Sequence, residues 1–456
     1  MKPELTTFCV FPSVIPADRE SEICITARDG WMLFYDDITY DVQVIPADES
    51  DMPEDEALTL RGPDEKRKTY AIRPVNGVLR LTYFFAGEQQ WHIRVSTKQY
   101  AIHENPVLKA AAPFWDALRQ RPEQGVILSV YSLAPDLYQR QVLRGDLHIH
   151  TNMSDGVNSP TLTAAAYRRA GYDFVAITDH AQYDMGRDAR AQFDFKTDFQ
   201  ILTAEEIHNG YNGQLHIISI GADTGISDIM MREPGRVEKE IAALRAETDI
   251  PPGVPEREYL YRLWVYRIAK EHGGLVIYPH PYWNIGKCRW HVGPRLAMAI
   301  LENGLCDAFE IMGGGNAEEN NLQTALYYEA VSRGVRLPVV GSTDNHSILG
   351  HFDRASTYVF AEDGNITAAV LAGYSVAAEH LPGEAVRFYG PYRLVRYARF
   401  LADYYFPLHN ELCASAGQVL IDYIQGDRSV RAMLEGLEQR ISDFEHRFFS
   451  CPRNEK

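Results

Sequence analysis

The segment Arg144-Gly-Asp-Leu-His-Ile-His-Thr-Asn-Met-Ser-Asp-Gly156 brings two imidazoles and several carboxylates into one short stretch. In a strand the side chains alternate between faces, so His148 and His150 point the same way and Leu147 and Ile149 take the opposite, buried face. Imidazole nitrogen and carboxylate oxygen suit a divalent metal, and Asp155 follows in the loop, where it can swing inward. An HxH pair alone is commonly incidental, so the rest of the chain has to decide. The same ending recurs. Phe174-Val-Ala-Ile-Thr runs into Asp179-His180, Leu275-Val-Ile-Tyr-Pro into His280-Pro281, and Leu337-Pro-Val-Val-Gly-Ser-Thr into Asp344-Asn345-His346. Each apolar run delivers His or Asp just past its C-terminal end, where parallel α/β folds collect their functional groups. Repetition at four strand ends is not surface decoration.

The elements that must position these residues follow from the same patterning. From about Arg144, short apolar runs alternate with helical periods. Ser159 reads as a helix N-cap, Pro160 as the first helical residue and Gly171 as the stop. Leu215–Ile220 and Ala308–Met312 are further strands, with helices over Glu258–Glu271 and Asn320–Arg333. Such alternation implies a largely parallel, buried sheet or a barrel. Residues 1–140 read as β, with short strands at Glu22–Ala27, Tyr40–Ile45, Val78–Phe85 and Trp91–Ser96 spaced as in a sandwich. The charged, Pro-containing stretch Ala47–Lys68 reads as an exposed connection. After about Tyr374 the chain turns helical, and Val430, Met433, Leu434, Leu437, Ile441, Phe444 and Phe448 form one apolar stripe. The expected organisation is a β accessory domain over 1–140, a metal-bearing α/β barrel over 141–375 and a helical extension over 376–456.

Composition bounds the function classes. The chain has 456 residues, with 45 Lys and Arg against 62 Asp and Glu, giving a net charge of −17. That sign argues against a protein devoted to neutralising nucleic-acid phosphates, short oligonucleotides excepted. No run approaches the length of a membrane-spanning helix, and the N-terminus lacks the pattern of a secretory leader. Six cysteines at irregular spacing, with no CxxC pair, fit a reduced, cytoplasmic chain. There is no GxSxG elbow and no Walker loop, and Gly313-Gly-Gly315 lacks the spacing of a dinucleotide fingerprint.

Taken together, DLHIHTNMSDG, AITDH, YPHP and STDNHS resemble the polymerase-and-histidinol-phosphatase (PHP) superfamily of metal-dependent phosphoesterases, in family order and over about residues 144–375. The β-rich first domain, the CDAFEIMGGGN segment and the helical extension resemble the carbaryl-hydrolase-like branch more than the histidinol phosphatases. The resemblance implies a distorted seven-stranded β/α barrel holding two to three divalent ions of Mn, Fe or Zn. It implies metal ligation by His148, His150, Asp155, His180, His280, Asp344 and His346, with a bridging glutamate on the strand between the second and third motifs. Glu205 and Glu206 both compete for that place. The family register favours Glu206, although Thr203-Ala204 stands where the usual Pro-Gly would be. His216 is a further ligand candidate whose alternative is a core histidine, His208 is the reserve, and Asp179 is expected to orient an imidazole.

The chemistry implied is hydrolysis. A carboxylate bridging two ions holds them roughly 3.5–4 Å apart and lowers the pKa of a shared water toward about 7. The hydroxide so formed would attack phosphorus in line, with Glu206, Asp344 and His346 as the central catalytic set. Arg144, Lys287, Arg289 and His291 are the expected substrate-binding residues, and Lys287-Cys-Arg289-Trp290-His291 would form a phosphate clamp with an aromatic wall. His291 or His351 could protonate a leaving group. The expected function is phosphoester hydrolysis on a small anionic metabolite or nucleotide. The rivals are an ester, amide or carbamate hydrolase with the same centre, and a non-catalytic metal-binding scaffold. No membrane partner is expected, and a homo-oligomer remains open.

Overall fold

The structure is a computed structural model and describes residues 2–28, 34–48, 67–97, 125–208, 215–286 and 288–449. The connection expected over Ala47–Lys68 lies largely outside the described residues. The chain divides into two compact units. One comprises Met1–Arg140, Phe400–His409 and Ser442–Lys456, and the other Gln141–Arg399 and Asn410–Ile441.

In the first unit, Phe8–Phe11, Arg19–Ala27 and Leu79–Phe85 form an antiparallel three-stranded sheet. A second sheet has five strands in the order Val14–Pro16, Val126–Leu133, Gln89–Ser96, Tyr40–Pro46, Tyr70–Ile72. Alternation along these strands sends Ile23 and Ile25 of one sheet, and Val42, Ile93 and Val95 of the other, into one apolar core. No His/Asp/Glu group of metal-binding type lies wholly within this unit among the described residues.

The second unit is built on a ten-stranded sheet. Its order is Val339–Gly341, Ala308–Met312, Leu275–Tyr278, His216–Ile220, Gln200–His208, Phe174–Ile177, Gln141–Ile149, Ala355–Ala361, Ser375–Glu379, Arg387–Tyr389. The sheet is mixed rather than largely parallel. Gln141–Ile149, Phe174–Ile177 and Gln200–His208 run parallel, as do Leu275–Tyr278, Ala308–Met312 and Val339–Gly341. His216–Ile220 is antiparallel to both of its neighbours; only seven residues separate it from Gln200–His208, too few for the crossover a parallel pairing needs. Ala355–Ala361 is also antiparallel to Gln141–Ile149.

The sheet nearly closes on itself through side chains. Thr357 Oγ1 lies 3.0 Å from Gly341 N and 2.8 Å from Gly341 O, and Ser375 Oγ donates to Val339 O at 2.9 Å. The sheet runs past residue 375 through its last two strands, and the helices that follow are divided between the two units. In the apolar stripe of Arg431–Phe449, Leu434, Ile441 and Phe448 are buried, whereas Met433 faces solvent.

Burial sets the register of the first strand of this sheet. Leu147 and Ile149 are fully buried, each worth about 1.5–3 kcal/mol relative to exposure. A shift by one residue would turn them out and the histidines in. Helix Pro160–Arg169, capped by Ser159 as expected, is tied to Arg431–Phe449 by a buried two-point contact between Arg168 and Glu438.

Candidate metal centre

The strand ends bring the expected side chains into one cluster around the Glu206 carboxylate. Its Oε2 lies 3.3 Å from His148 Nε2, 3.2 Å from His150 Nε2 and 3.2 Å from His180 Nδ1. Its Oε1 lies 2.6 Å from His216 Nδ1 and 3.1 Å from His280 Nε2. Asp344 Oδ1 stands 3.2 Å from His148 Nε2 and 3.1 Å from His150 Nε2. On the outer side, Asp155 reaches His346 Nε2 at 3.3 Å and both His150 Nδ1 and His180 Nε2 at 3.7 Å. All nine candidate ligands therefore sit together. Three groups have donor atoms close enough to share an ion: His148, Glu206, His280 and Asp344; His150, His180 and Glu206; and His150, Asp155 and His346.

Local structure explains why these side chains converge. Backbone hydrogen bonds from Asp344 N to His148 O and from His150 N to Asn345 O lock the first motif against the last. Asp146 accepts from the backbone N–H of His148 and Thr343, and from the hydroxyls of Thr343 and Tyr167. Burial pushes its carboxyl up to about 7, against hydrogen bonds that lower it. His280 and Asp344 have positive φ, 21° and 48°. Such backbone strain in non-glycine residues gathers where the surrounding structure fixes a functional geometry. The glycine run packs close to this loop, since a Cβ on Gly314 would lie 1.9 Å from Thr343 O.

His216 comes from the opposite end of its strand. Because His216–Ile220 runs antiparallel to Gln200–His208, with His216 opposite His208, its first residue reaches the end of the sheet where the parallel strands finish. Strand direction is a tertiary property, which is why sequence left this residue open. Glu205 points away from the cluster and accepts from the backbone N–H of Ile226 and Ser227 at the start of helix Ile226–Arg232. His208 is a ring neighbour of His180 and His216, at 5.1 and 5.4 Å between centroids.

The electrostatics are those of a site short of positive charge. Burial alone would lower the His148 pKa, but Asp344, Glu206 and Glu310 outweigh it and hold it well above the ordinary imidazole value. His150 is likewise raised to about 9 by Asp344 and Glu206 against burial. Burial would raise Glu206, yet His216 and His148 bring it well below the usual carboxylate range, and His148 and His150 do the same for Asp344. Without cations the carboxylates draw protons onto the imidazoles of His148, His150 and His280. A donor set of this kind fits divalent ions, which would take the place of those protons.

Two expectations, those for Arg144 and Asp179, are corrected. Arg144 is not a substrate residue: its guanidinium donates to Ala170 O, Gly171 O and Asn410 Oδ1 and stacks over Tyr172. It lies at the start of the strand whose other end carries His148, so nearness in sequence did not become nearness in space. His291 is buried beside His216, with ring centroids 4.5 Å apart, and burial holds its imidazole down to about 2. In the neutral form it offers the cluster a ring hydrogen bond rather than a positive charge. Arg289 is exposed on the small hairpin of Asn284–Ile285 and Arg289–Trp290, and Lys287 lies outside the described residues. Asp179 holds the Thr151–Asp155 loop, accepting from Thr151 N, Thr151 Oγ1 and Ser154 Oγ, rather than an imidazole. His351 is exposed.

Sequence reading missed Glu310. This fully buried carboxylate on Ala308–Met312 places Oε2 3.0 Å from His148 Nδ1. The available signal was one acidic residue inside the apolar strand Ala-Phe-Glu-Ile-Met.

Fold and site define a class: an α/β chain with a candidate metal centre at one end of its sheet. Several known proteins are similar to parts of this chain. The chain is 41% identical over 61 residues to the DNA polymerase/3'-5' exonuclease PolX of Bacillus subtilis, covering 13% of this chain and only 11% of that relative's length. Its fold is similar to a two-domain protein from Bacteroides vulgatus containing a predicted PHP-like metal-dependent phosphoesterase, with TM-score 0.39 and 19% identity over 54% of this chain and 68% of the other. An amidohydrolase from Chromobacterium violaceum is similar over 44% of this chain and 87% of its own, with TM-score 0.30 and 19% identity. No family model matches the chain. No helix among the described residues is long and apolar enough to cross a membrane.

Proposed function

We propose that the chain is a metal-dependent hydrolase of the PHP type, most directly a phosphoesterase acting on a small phosphorylated metabolite or nucleotide. The observation that carries this reading is the cluster of nine His, Asp and Glu side chains built around Glu206, whose carboxylate meets five imidazoles. His148, Glu206, His280 and Asp344 would hold one ion. His150, His180, Asp155 and His346 would hold one or two more on the outer side, with His216 completing the Glu206 face. Bound ions of Mn, Fe or Zn would activate water near neutral pH and offset charge on the substrate oxygens.

The chain's own part is to fix these donors in a buried pocket and to leave the Asp155 and His346 side open for a substrate. The finer fold reading, a distorted seven-stranded barrel behind a β-sandwich-like domain with a helical extension, belongs to this proposal, as does kinship to the carbaryl-hydrolase-like branch. Among the described residues no disulfide links Cys9, Cys24, Cys288, Cys306 or Cys413, which fits a cytoplasmic setting.

A second reading is an ester, amide or carbamate hydrolase. It is favoured by the withdrawal of Arg144 and the neutrality of His291, and by the half-exposed Trp283 ring 5.8 Å from the ring of His216. An apolar wall suits an uncharged substrate better than a doubly charged phosphate. The test is elemental analysis of the purified protein, followed by a panel of phosphomonoesters, cyclic nucleotides, short oligonucleotides and carbamates. Metal-bearing protein whose phosphatase activity is abolished by chelator supports the first reading. Full activity after chelation overturns both.

A further inference from the structure

The ligands around Glu206 are not all supported from behind in the same way. His148 turns Nε2 toward Glu206 and Asp344, and its other nitrogen lies 3.0 Å from Glu310 Oε2. The rear nitrogen of His280, Nδ1, has no hydrogen-bond partner. That of His150 meets only the Ser154 hydroxyl at 3.5 Å and, at 3.7 Å, Asp155, a carboxylate more than half exposed to solvent. Glu310 is itself fully buried, and its Oε1 accepts from the backbone N–H of His280 at 3.4 Å. A Cβ on Gly313 would come within 2.8 Å of that oxygen, so the glycine leaves room for the carboxylate. A carboxylate in the middle of an apolar strand is costly to bury and persists only where it is hydrogen-bonded or paired.

We propose that Glu310 is a positioning residue of the metal centre: by accepting from His148 Nδ1–H it holds the ring with Nε2 free and aimed at the ion, and so makes the position between His148, Glu206, His280 and Asp344 the tightest-binding one. A carboxylate behind a ligating imidazole fixes both tautomer and orientation and raises ligand basicity. This inference rests on the metal-hydrolase reading.

The experiment compares the full-length chain with Glu310→Leu and Glu310→Gln by dialysis against graded chelator, counting metal by elemental analysis, and records the visible absorption of the Co(II)-substituted proteins. Glu310→Leu is expected to bind the tightest ion about 10–100-fold more weakly and to shift the Co(II) bands. Glu310→Gln, whose amide oxygen accepts the same hydrogen bond, is expected to recover most of the affinity. Glu205→Gln, a buried carboxylate on the cap of Ile226–Arg232, reports what loss of stability alone does to metal retention.

Glu310→Leu that holds metal as tightly as the parent, or no more weakly than Glu205→Gln, overturns the proposal. If the leucine variant does not fold, Glu310→Asp must show the loss, and unchanged affinity there overturns it as well. A parent chain that takes up no metal overturns the hydrolase reading and this inference together, a result distinct from a metal-bearing parent with an indifferent Glu310.

Discussion

The inner and outer halves of the cluster use the same residue types under opposite solvent conditions. Inside, the side chains of His148, Glu206 and His280 are 0%, 1% and 6% exposed, while outside those of Asp155 and His346 are 55% and 38% exposed. A charge in the inner half cannot be screened by water, so each group there must be matched by a partner or by a bound cation. In the outer half, water competes for every contact, and Asp155 can leave His346 at small cost. The difference separates two tasks. On the proposed reading, the inner half would retain an ion, and the outer half would exchange water, substrate or a weaker ion.

Removing the charge at the centre should have the largest effect. Glu206→Gln takes the negative group away from five imidazoles at once. Metal content is expected to collapse and hydrolysis of an activated phosphate ester to fall by about 10³-fold or more, the scale of losing a strong electrostatic stabiliser of the transition state. Asp155→Ala should cut activity by about 10–100-fold, comparable to losing a supporting partner of a ligand, and leave the inner ion in place. Elemental analysis beside kcat/KM for the two variants tests the contrast. Equal metal loss in both would mean that the halves are one site.

A smaller effect is expected from Gly314→Ala. The added Cβ would lie 1.9 Å from Thr343 O and 2.9 Å from the Asp344 Cβ, both backbone-fixed positions in a loop where Asp344 already has φ 48°. Overpacking of this kind costs about 1–3 kcal/mol. The loop that carries Asp344 should shift, with roughly a tenfold loss of activity, the equivalent of about 1.4 kcal/mol. Urea unfolding and steady-state kinetics on one preparation would check it. Unchanged kinetics would show that the inner half tolerates movement of Asp344.

These contrasts also mark what the sequence could disclose. His148, His150, His180, His280, Asp344 and His346 were legible because each follows a short apolar run, and strand alternation is a local rule. Asp155 was legible as the next acidic group in the same loop. The direction of His216–Ile220 in the sheet was not, so His216 could not be placed by local reasoning. Glu310 comes from a strand two places along the sheet from His216–Ile220, and its partner His148 is 162 residues away in sequence. Arg144 failed as a substrate residue for the converse reason. It is close to the first motif along the chain, but its guanidinium is buried against Ala170 O, Gly171 O and Asn410 Oδ1.

The last contrast sharpens the comparison by its sign. In the metal-free chain, burial lowers the His150 pKa, but Asp344 and Glu206 outweigh it and raise it from the ordinary 6.5 to about 9. The folded state therefore binds this proton more tightly than the unfolded chain does. The stabilisation is fully present below about pH 6.5 and is lost as pH rises through about 9. One proton sets a slope of at most about 1.4 kcal/mol per pH unit. At about 2–4 °C per kcal/mol for a large domain, this should appear as a fall of several degrees in Tm for chelator-treated protein. Metal-loaded protein should behave in the opposite sense over the same window. Its ions compete with that proton, so retention and Tm should rise as pH increases from about 6.5. Thermal unfolding from pH 6 to 9.5, with and without chelator, reads both slopes. Parallel curves would mean that protons and ions do not compete for His150, and that the ion sits in the inner half alone.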